Sequence, residues 1–245
     1  MESIDTLITN GFKIVQDKEK FCYGIDAILL ANFVTAAKYE TAFDLGTGNG
    51  IIPILLAATK KAGRVTGIEI QSESAELAKK SVNINGQENQ ITIINGDIKN
   101  IEALAKKASI DCVTSNPPYI AAGSGRQNPA NAKNIARHEI LCTLDDVIKA
   151  AAYLLKQNGD FFMIHKPSRT TEIFERLAHY KLTAKRLQFV HPFVDQPPTM
   201  VLVQAQKNAR PLLTVEKPLI VYSSKGVYTN DIKAIYATMG INAKI

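Results

Sequence analysis

From about residue 41 the chain alternates short β-rich runs with stretches of helical periodicity, and this alternation leaves few folds open. "TAFDL" at 41–45 reads as a strand and "IIPILLAATKKAG" at 51–63 as a helix. "RVTGIEI" is the next strand, followed by an amphipathic stretch from Ser72 to about Ile84. "ITIING", a short helix near Ile101–Lys107 and the strand "IDCVTSN" follow in turn. "TLDDVIKAAAYLLKQNG" predicts a helix with Thr143 as N-cap and Gly159 as its stop. "DFFMIH", a helix over Ser168–Tyr180, and the late strands "AKRLQFV" and "TMVLVQAQ" complete the series. Such βαβ repetition predicts an α/β fold: a mostly parallel, twisted sheet with helices on both faces.

The flanks fit this pattern less well. "YGIDAILLANFV" at 23–34 reads as a helix placed to pack over the ligand-binding edge of the sheet, and "LIVYSSKGVYTNDIKAIYATMG" at 219–240 as a strand, a turn and a short helix. With no Gly- or Pro-rich linker, residues 1–245 are expected to form one domain: an N-terminal extension (1–40), a core (41–205) and a C-terminal extension (206–245). The longest apolar runs fall far short of the roughly 20 residues that span a bilayer. Cys22, Cys112 and Cys142 form no C-x-x-C pair, which argues against a zinc site or a disulfide framework and predicts a reducing, cytoplasmic setting. A net charge of +6 permits a polyanionic partner without requiring one.

"FDLGTGNGI" places Asp44 at a strand end, then Gly46, Gly48 and Gly50, then a helix. Glycines there allow positive φ and close backbone approach to a ligand, and the helix N-terminus beyond offers N–H groups to an anion. Glu69 ends the next strand, where a carboxylate can accept hydrogen bonds from ribose hydroxyls. Nicotinamide dinucleotides and S-adenosylmethionine both carry that ribose. The dinucleotide fingerprint, however, wants a third glycine where this chain has Ile51. Asp97, in "NGDI" after the third strand, is a candidate acceptor for an adenine amine, or simply a turn residue.

"NPPY" at 116–119 closes the fourth strand, on the carboxyl edge where open α/β sheets bind ligands. Two consecutive prolines fit neither a helix interior nor a central ladder. They do suit a rigid site that presents carbonyl oxygens. A nitrogen conjugated to a base or an acyl group is a poor nucleophile, and methyl transfer to it builds positive charge there. Asn116 Oδ1 and the carbonyl of Pro117 can accept from its N–H bonds, Pro118 stiffens the turn, and Tyr119 can stack on the planar group.

Glycine loop, acidic strand end, "NGD" and "NPPY" in this order resemble a class I, Rossmann-like S-adenosylmethionine-dependent methyltransferase acting on planar amino groups. The chain is most similar to the bacterial tRNA(Val) adenine-37 N6-methyltransferase family. That resemblance rests on "YGIDAILLANF" at 23–33, "DLGTGNGIIPILLA" at 44–57, "NPPY", "IARHEI" with "CTLDDVIKAAAYLLK" at 135–156, and "KRLQFVHP" at 185–192. It implies S-adenosylmethionine as cofactor, held by Asp44, Gly46, Gly48, Gly50, Glu69 and Asp97, with Tyr23 and Asp26 near its methionine end. It also implies that Asn116, Pro117, Pro118 and Tyr119 receive an adenine of tRNA, in the anticodon loop.

The long segment between Tyr119 and Thr143 carries Arg126, Lys133 and Arg137, candidate phosphate contacts at the mouth of the site, and Lys166 and Arg169 stand on the same sheet edge. The expected partner is therefore tRNA, with no metal, no membrane and a monomeric chain. Two other substrates share the motif: a release-factor glutamine and a guanine of ribosomal RNA. The glutamine N5-methyltransferases normally carry a helical domain ahead of the glycine loop, and only 43 residues precede Asp44 here. A non-catalytic RNA-binding module is disfavoured by the intact Asn116 and Glu69.

Overall fold

The computed structural model of the chain describes residues 2–6, 11–17, 23–34, 39–117 and 142–241. Two strands, β1 (Glu2–Thr6) and β2 (Lys13–Asp17), pair antiparallel and precede helix α1 (Ile25–Phe33). The alternating core then runs β3 (Tyr39–Leu45), α2 (Ile51–Ala58), β4 (Ala62–Glu69), α3 (Ser72–Ile84), β5 (Ile91–Asn95), α4 (Ile101–Leu104) and β6 (Ile110–Ser115). After the segment outside the described residues come α5 (Leu144–Leu154), β7 (Leu155–His165), α6 (Thr170–His179), β8 (Leu182–His191) and β9 (Met200–Lys207). Short strands β10 (Thr214–Val215), β11 (Leu219–Ile220), β12 (Tyr222–Ser224) and β13 (Val227–Tyr228) lead to α7 (Asn230–Thr238).

Among the described residues, nine strands form the central sheet, in the order β10-β8-β9-β7-β6-β3-β4-β5 with β11 also on β8. The five strands β5, β4, β3, β6 and β7 are mutually parallel, and β9 runs antiparallel to both β7 and β8. The mostly parallel α/β sheet expected from the alternation is therefore present. Its central strands are buried on both faces, as parallel sheets require. Phe162 and Ile164 face one apolar core with α1, α2 and α7, whereas Phe161 and Met163 face a second core with α5 and α6. The same two-residue alternation sends Ala42 and Cys112 to the first core and Phe43 and Val113 to the second.

Three local features depart from the sequence reading. The helix beginning after Thr143 does not reach Gly159. Its start is as expected, with Thr143 Oγ1 accepting from Asp146 N at 3.2 Å and Asp146 Oδ2 accepting from Thr143 N at 2.9 Å. It ends at Leu154, because Leu155 already pairs with Ile110 and opens β7. Gly159 is a close-packing residue, since a Cβ there would lie 3.1 Å from the Asp111 carbonyl oxygen. Secondly, the helix expected from Ser168 begins with a 3-10 turn over Pro167–Arg169. Thirdly, the N-terminal strands dock on α3 through Val15 N to Ser81 Oγ at 2.9 Å and Lys13 N to Asn85 Oδ1 at 2.8 Å. "KIVQD" is too short an apolar run to announce that contact.

Helix α1 is nearly all buried, with Ala27–Ala31 and Phe33 inside the first core. Its C-terminal carbonyls are satisfied by a distant cation: Lys61 Nζ donates to the oxygens of Ala31, Asn32 and Val34 at 2.9, 2.8 and 2.7 Å. Arg186 adds a bond to the Phe33 carbonyl oxygen at 3.3 Å, and its guanidinium lies 4.2 Å from the centre of the Phe33 ring. The helix is thereby fixed against one face of the sheet, with its C-terminal end at the amino end of β4 and its first turn beside the carboxyl end of β6.

Candidate active site

Parallel register carries the chemistry-bearing residues to one edge. Leu45 pairs with Ile68 and with Ser115, Glu69 with Asn95, and Ser115 with Met163. The segments that leave β3, β4, β5 and β6 therefore emerge side by side: the glycine loop, Glu69, Asn95–Asp97 and Ser115–Pro117. Ser115 Oγ donates to the Leu45 carbonyl oxygen at 2.9 Å and locks two of these ends together.

The glycine loop is built as its residues demand. Gly46, Gly48 and Gly50 adopt φ of 74°, 57° and 84°, a left-handed region that costs other residues roughly 1–2 kcal/mol. At Gly50 there is a second reason, because a Cβ would stand 3.2 Å from the Ala78 Cβ on α3. Glu69 organises the loop. The residue is 6% exposed, and its carboxylate accepts from Gly48 N and from Gln71 N, both at 2.9 Å. Each oxygen keeps a further lone pair for a ligand donor. Glu69→Ala is accordingly expected to weaken nucleoside binding at least tenfold, since charge-assisted bonds are worth roughly 1.5–3 kcal/mol each. Calorimetry with S-adenosylhomocysteine checks this, and undiminished affinity would remove Glu69 from the site.

Asp44 is fully buried. Its Oδ1 accepts from Thr114 Oγ1 at 2.6 Å. Burial pushes its carboxyl up to about 6, the Glu69 charge adds to this, and the Thr114 and Thr47 hydroxyls partly offset it. Asp44 Oδ2, Thr47 Oγ1 and both polar atoms of Asn49 are buried with no hydrogen-bond partner of good geometry. Such orphans normally cost about 1–3 kcal/mol each, so their concentration at one strand end and loop suits a polar ligand. Thr47 and Asn49 escaped the sequence reading, because the glycines draw attention from the residues between them. Burial of alternate loop side chains has no signature in one sequence.

Asp97 follows β5 and caps a 3-10 turn, with Oδ1 accepting from Lys99 N at 2.9 Å. Asn95 Nδ2 donates to the Glu69 carbonyl oxygen at 2.8 Å, which holds this corner beside Glu69. Tyr23 packs against the first core. Asn116 and Pro117 stand at the end of β6, and Asn116 Nδ2 donates to Asp26 Oδ2 at 3.0 Å. Pro118 and Tyr119 lie outside the described residues, as do Arg126, Lys133, Arg137 and Cys22.

Lys166 and Arg169 follow β7 on the same edge. Arg169 grips Glu172 through Nε at 2.8 Å and Nη2 at 2.6 Å, a bidentate pair with its side chain 17% exposed. This bond depresses the Glu172 carboxyl. His165 is buried, its Nδ1 accepts from Lys166 N at 2.8 Å, and burial with the Arg169 charge lowers it to about 4. It is a neutral packed histidine at physiological pH. Among the described residues no cluster of three His, Cys, Asp or Glu can hold a metal, and no helix is long and apolar enough to cross a membrane.

The chain is similar to known proteins in both sequence and fold. It is 30% identical over 185 residues to a tRNA1(Val) (adenine(37)-N6)-methyltransferase of Porphyromonas gingivalis, a match covering 73% of this chain and 72% of that one. The fold is similar to the crystal structure of a protein from Agrobacterium tumefaciens described as a predicted O-methyltransferase, with TM-score 0.70 and 23% identity over 89% of this chain and 99% of that one. It is also similar to geranyl diphosphate C-methyltransferase from Streptomyces coelicolor, crystallised with S-adenosyl-L-homocysteine among its ligands, with TM-score 0.56 and 13% identity over 75% of each chain. The model of one family, the methyltransferase small domain, matches residues 13–190, and the chain belongs to that family.

Proposed function

We propose that this methyltransferase uses S-adenosylmethionine to methylate N6 of an adenine in the anticodon loop of a tRNA. The observation that carries the reading is Asn116 at the end of β6, set on the same sheet edge as the glycine loop and Glu69. The name of the Porphyromonas gingivalis relative supports the choice of tRNA and of adenine. The orphaned atoms of Asp44, Thr47 and Asn49 fit a cofactor that brings both hydrogen-bond donors and acceptors. When bound, S-adenosylmethionine supplies an electrophilic methyl group on a sulfonium sulfur.

The chain's own residues do the rest. Glu69 accepts from the ribose hydroxyls while its backbone bonds hold the loop that cradles them. Asp44 would supply negative charge for the cationic end of the cofactor, and Asp97 would serve its adenine end. Asn116 Oδ1 and the Pro117 carbonyl accept from the target amine and stabilise the positive charge that develops on it, an interaction stronger in the transition state than before it. The proton then leaves to water without a strong base, because the methylated nitrogen is cationic and acidic. A target adenine must leave its stack to reach this edge, which costs least in a single-stranded loop. Arg126, Lys133, Arg137 and Lys166 supply the positive charge for flanking phosphates, with Arg169 committed in part to Glu172.

The test is incubation with labelled S-adenosylmethionine and separate pools of tRNA, ribosomal RNA, DNA and release factor. N6-methyladenosine in tRNA is the expected product, with binding that weakens steeply as salt rises. Label in a release-factor glutamine or in N2-methylguanine of ribosomal RNA would replace this substrate with one of the other two that share the motif.

A further inference from the structure

Asn116 has a task that its amide cannot perform unaided. The amide is nearly symmetric in shape, so rotation by half a turn exchanges its acceptor oxygen with its donor nitrogen. Only one orientation offers Oδ1 to an incoming amine; the other meets it with N–H groups and repels it. A neighbour that can only accept would settle the choice, and the structure provides one. Asp26 Oδ2 takes the Asn116 Nδ2 at 3.0 Å, across a sequence separation of 90 residues. An ionised carboxylate has no proton to donate, so it holds the nitrogen and leaves Oδ1 on the other side.

Asp26 is itself anchored at the head of α1. Its Oδ1 accepts from Ala27 N at 3.0 Å in the first turn of α1. The helix behind it is buried, and Lys61 and Arg186 tie its far end. The residue two positions earlier is glycine, and a Cβ there would lie 2.6 Å from Asp26 Oδ1. Gly24 has ordinary extended backbone, with φ −107° and ψ 179°, so conformation does not explain it. Room for the Asp26 carboxylate does.

We propose that Asp26 is a positioning residue for the methyl-transfer step, with Gly24 making room for it. Its carboxylate fixes the orientation of the Asn116 amide and, by accepting a charge-assisted bond from Nδ2, enriches Oδ1 as an acceptor for the developing cation. This rests on the reading of Asn116 given above. It differs from placing Asp26 against the methionine end of the cofactor, because it predicts a defect in turnover and none in cofactor affinity.

The experiment measures kcat and KM on tRNA, and S-adenosylhomocysteine affinity by calorimetry, for Asp26→Ala, Gly24→Ala, Asn116→Ala and the Asp26→Ala/Asn116→Ala pair. Asp26→Ala should lower kcat roughly ten- to a hundredfold, the scale of a misplaced reacting group, with cofactor affinity within about twofold of the parent. Gly24→Ala displaces the same carboxylate and should show the same pattern, which covers the case of an Asp26 variant that folds poorly. In the Asn116→Ala background, removing Asp26 should cost nothing further, since residues that act through one another are not additive. Full turnover in Asp26→Ala beside an inactive Asn116→Ala overturns the proposal and leaves the function standing. So does weakened cofactor binding at unchanged kcat, or an additive loss in the pair. Full turnover in Asn116→Ala itself would instead overturn the reading of the site.

Discussion

Asn116→Ala is expected to lower turnover roughly 10²- to 10³-fold while leaving S-adenosylhomocysteine affinity near the parent value, because on the proposed reading it deletes one preorganised acceptor for charge that appears only in the transition state. The side chain is partly buried at the end of β6, and Ser115 before it is locked to Leu45, so truncation leaves the strand end in place. Asn116→Asp is an informative companion. It brings a second carboxylate against Asp26, and like charges at that distance repel, so the variant should be impaired despite retaining an acceptor. Single-turnover measurements separate the chemical step from product release. A parent-like rate for Asn116→Ala would mean that the methyl-accepting site is elsewhere.

The second large effect is on stability, and its sign runs against intuition. Asp44 has a folded-state pKa raised from 3.8 to about 6, chiefly by burial. A raised carboxyl favours the protonated native state, so Asp44 leaves stability intact below pH 4 and reduces it as pH rises through about 6. The gap corresponds to about 3 kcal/mol at neutral pH. Asp44→Asn keeps the shape, removes the charge and gives the Thr47 hydroxyl an N–H to accept. It should raise unfolding free energy at pH 8 by up to about 3 kcal/mol and change it little at pH 4, as urea denaturation at the two pH values will show. An equal effect at both would place the burial cost elsewhere. The same variant should bind cofactor more weakly, because a cationic ligand end is what a buried, destabilising carboxylate is suited to meet. For the parent, binding of such a cation should strengthen between pH 5 and pH 7 as Asp44 ionises. On the proposed reading, Asp44 trades stability for cofactor binding.

Much of the site was legible in one dimension because its parts are local. A strand, a positive-φ loop and a helix N-terminus follow one another within "FDLGTGNGI", and the three glycines do adopt positive φ. Glu69 and Asn116 were placed at strand ends by the two-residue and helical periods around them, and β4 and β6 end at Glu69 and Ser115. The capping box at Thr143 needs only residues three apart. The end of that helix is illegible for an equally local reason: "LLKQNGDF" continues an apolar rhythm that suits helix and strand alike, and "NG" imitates a C-terminal stop. Pairing of Leu155 with Ile110, 45 positions away, decides the matter.

By itself, then, the sequence determined the α/β alternation, the glycine turn and which side chains stand at the carboxyl ends of the strands, since all of these depend on φ/ψ preference and periodicity over a few residues. Tertiary structure alone decided the strand order, the docking of β2 on α3 through Ser81, and the burial that lifts Asp44. It also decided that Asp26, at the head of a helix ninety residues upstream, meets Asn116. Electrostatic environment and side-chain partnership depend on which distant segments exclude water together, and no spacing within a single chain encodes that directly.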